Sequence, residues 1–172
     1  MTLASWLLTA ALATVNGSPC ELNPQEQQLA KILTGSAEQR RPQLTCNPLL
    51  AKAARERARM LAEAGEVSHR LPDGRGPNQY LRELGYPLWS LFSGFNQVEA
   101  VAGGYDTAAD AFEHFTFSGS HRPLVLGEDP YFLQQDEFGV GYHYRWQSPH
   151  VHYWVLILAR RDEVEDKEKG GR

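Results

Sequence analysis

Apolar positions recur with a helical period in four stretches of this chain, and with a strand period in two later ones. Asn23 before Pro24, with Glu26 in the first turn, marks a helix start; Leu29, Ile32 and Leu33 form its apolar stripe. Asn47-Pro48 opens the clearest helix, which is predicted to run to about Ala64 and to stop at Gly65. Leu50, Ala53, Ala54, Ala58 and Leu61 line one side of it, and Arg55, Glu56 and Arg59 lie off that stripe as a solvated face. A Pro- and Gly-rich loop over 71–77 leads to a short helix from Asn78 to Leu84, stopped by Gly85. Thr107 with Asp110 three residues later reads as a capping box, followed by Ala108, Ala111, Phe112 and Phe115 as the buried stripe of a helix. Residues 86–98 have no period, and their Tyr86, Trp89, Phe92 and Phe95 read as core or cleft wall.

The period then shortens. Phe138, Val140, Tyr142 and Tyr144 alternate with Gly139, Gly141, His143 and Arg145, which predicts a strand with one buried face. Val151 to Ala159 is apolar on both faces in its central part, so it is predicted as an interior strand, joined to the first by an antiparallel hairpin through Gln147-Ser148-Pro149. Helices first and a hairpin last argue for an α+β fold. A chain of 172 residues fits one domain.

Charge and the chain ends refine this picture. The net charge of −4 comes with intermixed signs, so no basic face invites nucleic acid. Leu3 to Val15 is apolar or small, too short to cross a bilayer, and Ala11-Leu12-Ala13 supplies a small-residue cleavage pattern. Residues 1–19 are therefore expected to be a signal peptide or apolar N-terminal segment, 20–160 the folded domain, and 161–172 a disordered charged tail. No transmembrane segment is expected. In an exported protein the even pair Cys20 and Cys46 suggests one disulfide, worth roughly 3.5 kcal/mol by chain entropy. The two cysteines lack the C-x-x-C spacing of a zinc ribbon or redox site.

Six short motifs in order carry a family resemblance. These are the helix opening Asn47-Pro48-Leu49-Leu50, Ser68-His69, Leu84-Gly85-Tyr86, Val98-Glu99-Ala100-Val101-Ala102, Ser118-Gly119-Ser120-His121-Arg122, and Phe138-Gly139-Val140-Gly141-Tyr142. From about Pro24 to Arg160 the chain resembles bacterial members of the CAP superfamily, named for cysteine-rich secretory proteins, antigen 5 and pathogenesis-related proteins, of the SCP-domain type. It departs from the family pattern at Ala100, where Asn is usual, and at Phe115, where Trp is usual. The resemblance implies a three-layer α-β-α sandwich with a small, mainly antiparallel sheet, and a cleft lined by His69, Glu99, Glu113 and His121. In that cleft His69 and His121 are the expected ligands of a divalent metal, zinc above all. Glu99 and Glu113 are their carboxylate neighbours and the candidate catalytic groups.

Two imidazoles make a site that leaves positions open on a zinc ion, and a carboxylate beside such an ion can take a proton from bound water. His114 neighbours Glu113 but points about 100° away on a helix, and is set aside. His150 and His152, on one strand face, form a second possible pair. The expected function is a secreted or cell-envelope binding module that takes an unknown peptide, lipid or other small molecule as a monomer. The alternative is a metal-dependent hydrolase, peptidase or esterase, using Glu99 or Glu113; a third reading keeps the tetrad as a purely structural feature of an envelope interaction protein. There is no H-E-x-x-H and no serine or cysteine nucleophile in a recognisable motif.

Overall fold

The computed structural model describes residues 20–90 and 94–162. The expected export segment, Phe92 and most of the expected charged tail lie outside the described residues. Helix α1 spans Pro24–Gly35, β1 Thr45–Cys46, α2 Pro48–Ala64, α3 Pro77–Glu83, β2 Glu99–Gly103, α4 Ala108–Phe117, α5 Arg122–Leu126, β3 Glu137–Tyr144 and β4 His152–Ala159, with a 3₁₀ turn over Phe132–Gln134. The helix starts follow the expected chemistry. Asn23 and Glu26 close a full capping box on α1, Asn47 accepts from the backbone N–H groups of Leu49 and Leu50 on α2, and Thr107 accepts from that of Asp110 on α4. Gly65 ends α2 in the left-handed region at φ 71°.

The sheet runs in the order β1-β3-β4-β2; β1 pairs parallel with β3, and the other pairings are antiparallel. Strand β4 is interior, as its two-sided apolar character predicts, and β2 is an edge. Two apolar layers flank this sheet. On one side α2 and α3 bury Leu50, Ala54, Leu61 and Leu81 against Val101, Val155 and Ile157. On the other, α1, α4 and α5 bury Leu29, Leu33, Phe115 and Leu126 against Ala100, Val140, Trp154 and Leu156. Alternation along β2 therefore sends Ala100 and Ala102 into the second layer, and Glu99 and Val101 toward α2.

Three sequence expectations are corrected here. Strand β3 is buried on both faces at its centre, because a Cβ on Gly139 or Gly141 would come within 2.2 Å or 2.1 Å of the α2 backbone at Leu50 or Ala54. The two glycines are where an alanine-rich helix lies directly on the strand, so they are interior positions without side chains. Arg55 is not merely a solvated residue of α2: it pairs with the fully buried Glu26 at 3.0 Å and donates to the carbonyls of Cys20 and Glu21. Arg161 does not begin a loose tail, since it bridges Leu88 and pairs with Glu137 at 3.1 Å. The Cys20–Cys46 disulfide is formed, with the Cα atoms 6.2 Å apart, and it ties the start of the described chain to β1.

Candidate functional site

The site grows from two charges placed in apolar surroundings. Arg57 stands on the buried side of α2 among Ala53, Ala54, Ala58 and Leu61, and Glu99 opens an otherwise apolar strand. Each is 1 % exposed. A buried charge without a partner is costly, so the two are held by each other. Arg57 Nε donates to Glu99 Oε2 at 2.8 Å and Nη2 to Oε1 at 3.3 Å, while Nη2 also donates to the Ser68 carbonyl at 2.9 Å. The last bond holds the chain immediately before His69. A recess of about 270 Å³, lined by Arg57, Leu61, Ser68, Arg70 and Leu71 among others, adjoins it.

His69 completes this network. Its Nδ1 lies 3.1 Å from Glu99 Oε1; the carboxylate oxygen accepts, so Nδ1 is the donor of this bond and Nε2 is the ring nitrogen that Glu99 leaves unengaged. Asn96 braces the turn into β2: its Oδ1 accepts from the backbone N–H groups of Val98 and Glu99, and its Nδ2 donates to the Glu99 carbonyl at 2.9 Å. The same Nδ2 lies 3.1 Å from His69 Nδ1, but both are donors while Nδ1 serves Glu99, so Asn96 acts on the Glu99 backbone and not on the ring.

His121 arrives from the other layer, at the start of α5, with its backbone N–H bonded to the Ser118 carbonyl. Its ring lies 5.9 Å from that of His69, centroid to centroid, with the planes at 73°. Phe115 stands edge-on to it at 5.7 Å, and His114 lies tilted at 6.1 Å. Its Nδ1 is buried and has no hydrogen-bond partner among the described residues. Burial, reinforced by the neighbouring His69 and His114, lowers its pKa from 6.5 to about 4. The ring is neutral at physiological pH.

Three of the four expected residues, His69, Glu99 and His121, thus meet at the start of the edge strand β2. Glu113 does not join them. His121 packs on the Phe115 side of α4, and Glu113, two residues earlier, projects from the opposite side into solvent. It lines a groove with Ile32, Phe112 and Thr116 instead. The residue set aside on helical geometry, His114, is the one that turns toward His121, and its Nδ1 is 2.7 Å from the Tyr105 hydroxyl. The second histidine pair is not a pair either. Val151, at φ 62°, makes a tight turn in which the His152 N–H bonds the His150 carbonyl at 2.6 Å, so only His152 lies in β4. His152 is then engaged by Tyr142 at 2.8 Å and His150 stands edge-on to Tyr153. The aromatic residues of 86–98 also separate: Tyr86 is core, Trp89 stacks on Tyr131 at 5.2 Å, and Phe95 lies under Arg70.

Arg57, Asn96, Tyr105 and His114 are the site residues that pattern reading missed. For Arg57 a signal existed: an arginine on the apolar stripe of a helix requires a buried carboxylate, and Glu99 in its apolar strand is the matching one. Among the described residues, no three His, Cys, Asp or Glu side chains stand together as a ready ligand set for a metal ion.

The profile of the cysteine-rich secretory protein family, CAP, matches residues 37–158. No curated protein matches the chain significantly by sequence. Among solved structures, an outer surface protein of Borrelia burgdorferi is similar at a TM-score of 0.60 and 20 % identity, over 80 % of this chain and 96 % of that one. An extracellular protein containing an SCP domain from Bacillus anthracis is similar at a TM-score of 0.61 and 17 % identity, over 80 % of this chain and 40 % of that one. At such identities these structures speak to the fold, and the profile match over most of the chain speaks to descent. An α+β sandwich with this sheet order, this profile and the histidines at its edge is a CAP domain, and the chain belongs to the cysteine-rich secretory protein family.

Proposed function

We propose that this protein is an exported binding module, extracellular or in the cell envelope, whose His69–His121 pair holds a divalent cation of the zinc class at a cleft for a peptide, lipid or other small envelope molecule. The carrying observation is His121: a buried Nδ1 without a hydrogen-bond partner, on a ring kept neutral, 5.9 Å from a second imidazole. Buried polar atoms left unpaired are rare and call for a missing partner, and a neutral imidazole nitrogen is a good zinc ligand. The donor set fits. His69 offers Nε2, with Nδ1 fixed by Glu99, the outer-sphere arrangement that sets the tautomer of a metal-bound histidine. The cation would supply Lewis acidity and open positions for the cleft ligand. Two nitrogens imply modest affinity.

Binding is preferred to hydrolysis because, among the described residues, no carboxylate is free beside the imidazoles. Both oxygens of Glu99 are engaged by Arg57, and Glu113 faces solvent elsewhere. Export is supported by the Cys20–Cys46 disulfide, which persists in oxidising compartments, and by the expected signal segment. The similar structures are described as outer surface and extracellular proteins, and no helix of the described residues is long and apolar enough to cross a membrane.

Calorimetric titration of Zn²⁺ into wild type, His69→Ala and His121→Ala tests the site. One-site binding in wild type that vanishes in both variants, with the fold intact by circular dichroism, is expected. Glu99→Gln should weaken it about 10–100-fold. An unchanged isotherm in either histidine variant, or no binding by wild type, overturns the reading.

A further inference from the structure

Outside the histidine site, the described residues form a two-lobed groove between α1 and α4. One lobe, about 630 Å³, is lined by Lys31, Ile32, Gly35, Thr107, Ala109 and Phe112 among others. The other, about 550 Å³, shares Ile32, Ala109 and Phe112 with it and continues past Glu113 to Phe117. Phe117 is 81 % exposed, more than any other large apolar side chain among the described residues. Lys31 in the first lobe and Glu113 in the second have no hydrogen-bond or ion-pair partner for their side chains among the described residues. Arg122, at the same end as Glu113, is by contrast satisfied by Glu38 and Glu128. The groove therefore has an apolar middle, one unpaired cation at one end, one unpaired anion at the other, and an exposed aromatic ring on the anionic side.

We infer that this groove is a self-association surface, and that its occupant is a second copy of the chain related by a two-fold axis. A two-fold interface is isologous, so each surface must complement itself when reversed. Reversal brings Lys31 of each copy against Glu113 of the other, and carries each Phe117 to the Lys31 lobe of its partner, which Ile32, Thr107 and Phe112 also line. A lipid surface fits less well. An aromatic residue meant to enter a bilayer is served by free cations around it, whereas the nearest charges here are Glu113 and an Arg122 already paired, on a chain of net charge −4. The dimer departs from the monomer expected from sequence, and it is independent of the cation reading.

Sedimentation velocity over a concentration series, with native mass spectrometry of the same protein, decides it. Wild type should pass from monomer to dimer as concentration rises. Lys31→Glu and Glu113→Lys should each raise the dissociation constant by about tenfold or more, since each puts like charges face to face. The double variant Lys31→Glu/Glu113→Lys should restore dimerisation, because the swapped surface again complements itself. Phe117→Ser, at an exposed position, should be monomeric with an unchanged circular dichroism spectrum. Wild type that stays monomeric at its solubility limit overturns the inference. So do single reversals that dimerise like wild type, a double variant that fails to recover, and a small amphiphile retained in the native spectrum of a monomer.

Discussion

His69 and His121 come to the edge of β2 from opposite sides of the sheet, and the two sides hold them by different means. On the α2 side the restraint is electrostatic. A fully buried Arg57–Glu99 pair, braced by Asn96 and tied to the Ser68 carbonyl, fixes His69 through a hydrogen bond to one named nitrogen. On the α4 side the restraint is apolar. His121 has no hydrogen bond from its buried Nδ1 and is held by Phe115, His114 and the backbone at the start of α5. The first arrangement sets direction and tautomer; the second sets protonation, since a buried imidazole near two others resists taking a charge. A site built from both has one oriented nitrogen donor and one that stays neutral.

The contrast can be broken most severely at Arg57. Arg57→Met leaves Glu99 buried without its cation and should cost about 3–5 kcal/mol in a urea melt, while Arg57→Met/Glu99→Leu should recover part of that loss. If the single variant melts like wild type, the α2 side is not held by charge. His121 should keep its low pKa in Arg57→Met protein folded at low temperature, as read by its ring proton shifts in NMR, because nothing on its own side has changed.

On the apolar side the effect is smaller but distinct. Phe115→Leu should cost about 1–1.5 kcal/mol and admit water beside His121, so the His121 pKa should climb from about 4 toward 6.5. A pKa that does not move shows that Phe115 is not what shields the ring.

Acid distinguishes the sides next. The folded-state pKa of His121 lies below its ordinary value of 6.5, so between about 6.5 and 4 the unfolded chain binds the extra proton and stability falls as pH falls. The partly exposed ring limits this to roughly 1 kcal/mol. Urea melts at several pH values, compared with His121→Gln, should show the slope in wild type and a shallower one in the variant. Equal slopes assign the acid sensitivity to other groups.

The mildest test is Asn96→Ala. It removes the side-chain bonds that close the turn into β2 and should cost about 1 kcal/mol, with the Arg57–Glu99 pair intact. If the proposed cation site is correct, zinc affinity should fall as well, because the turn that positions Glu99 beside His69 loosens. No change in either measure makes Asn96 a bystander.

Much of the fold was legible in the sequence because it depends on local chemistry. Asn-Pro starts, the Thr107 cap, Gly65 as a stop and the switch from a helical to a strand period are each decided within a few residues. The interior position of β4 followed from its two apolar faces, and the cysteine pair from its even number. The family motifs placed His69, Glu99 and His121, and the structure brings those three together.

What only the tertiary structure decided concerns partners and directions. That Arg57 belongs to Glu99 depends on α2 packing on β3 and β4, on the same sheet face as Glu99, so that the arginine side chain reaches the neighbouring strand; no spacing along the chain encodes that. That Gly139 and Gly141 are interior depends on how closely the α2 backbone approaches them, since a glycine carries no hydrophobic mark of its own. That His114 rather than Glu113 faces His121 depends on the rotation of α4, which Phe115 sets by burying itself against the sheet. That His150 and His152 part company depends on a single backbone angle at Val151. Periodicity states which side of an element is buried. It does not state against what, and the chemistry of this site lies in that second fact.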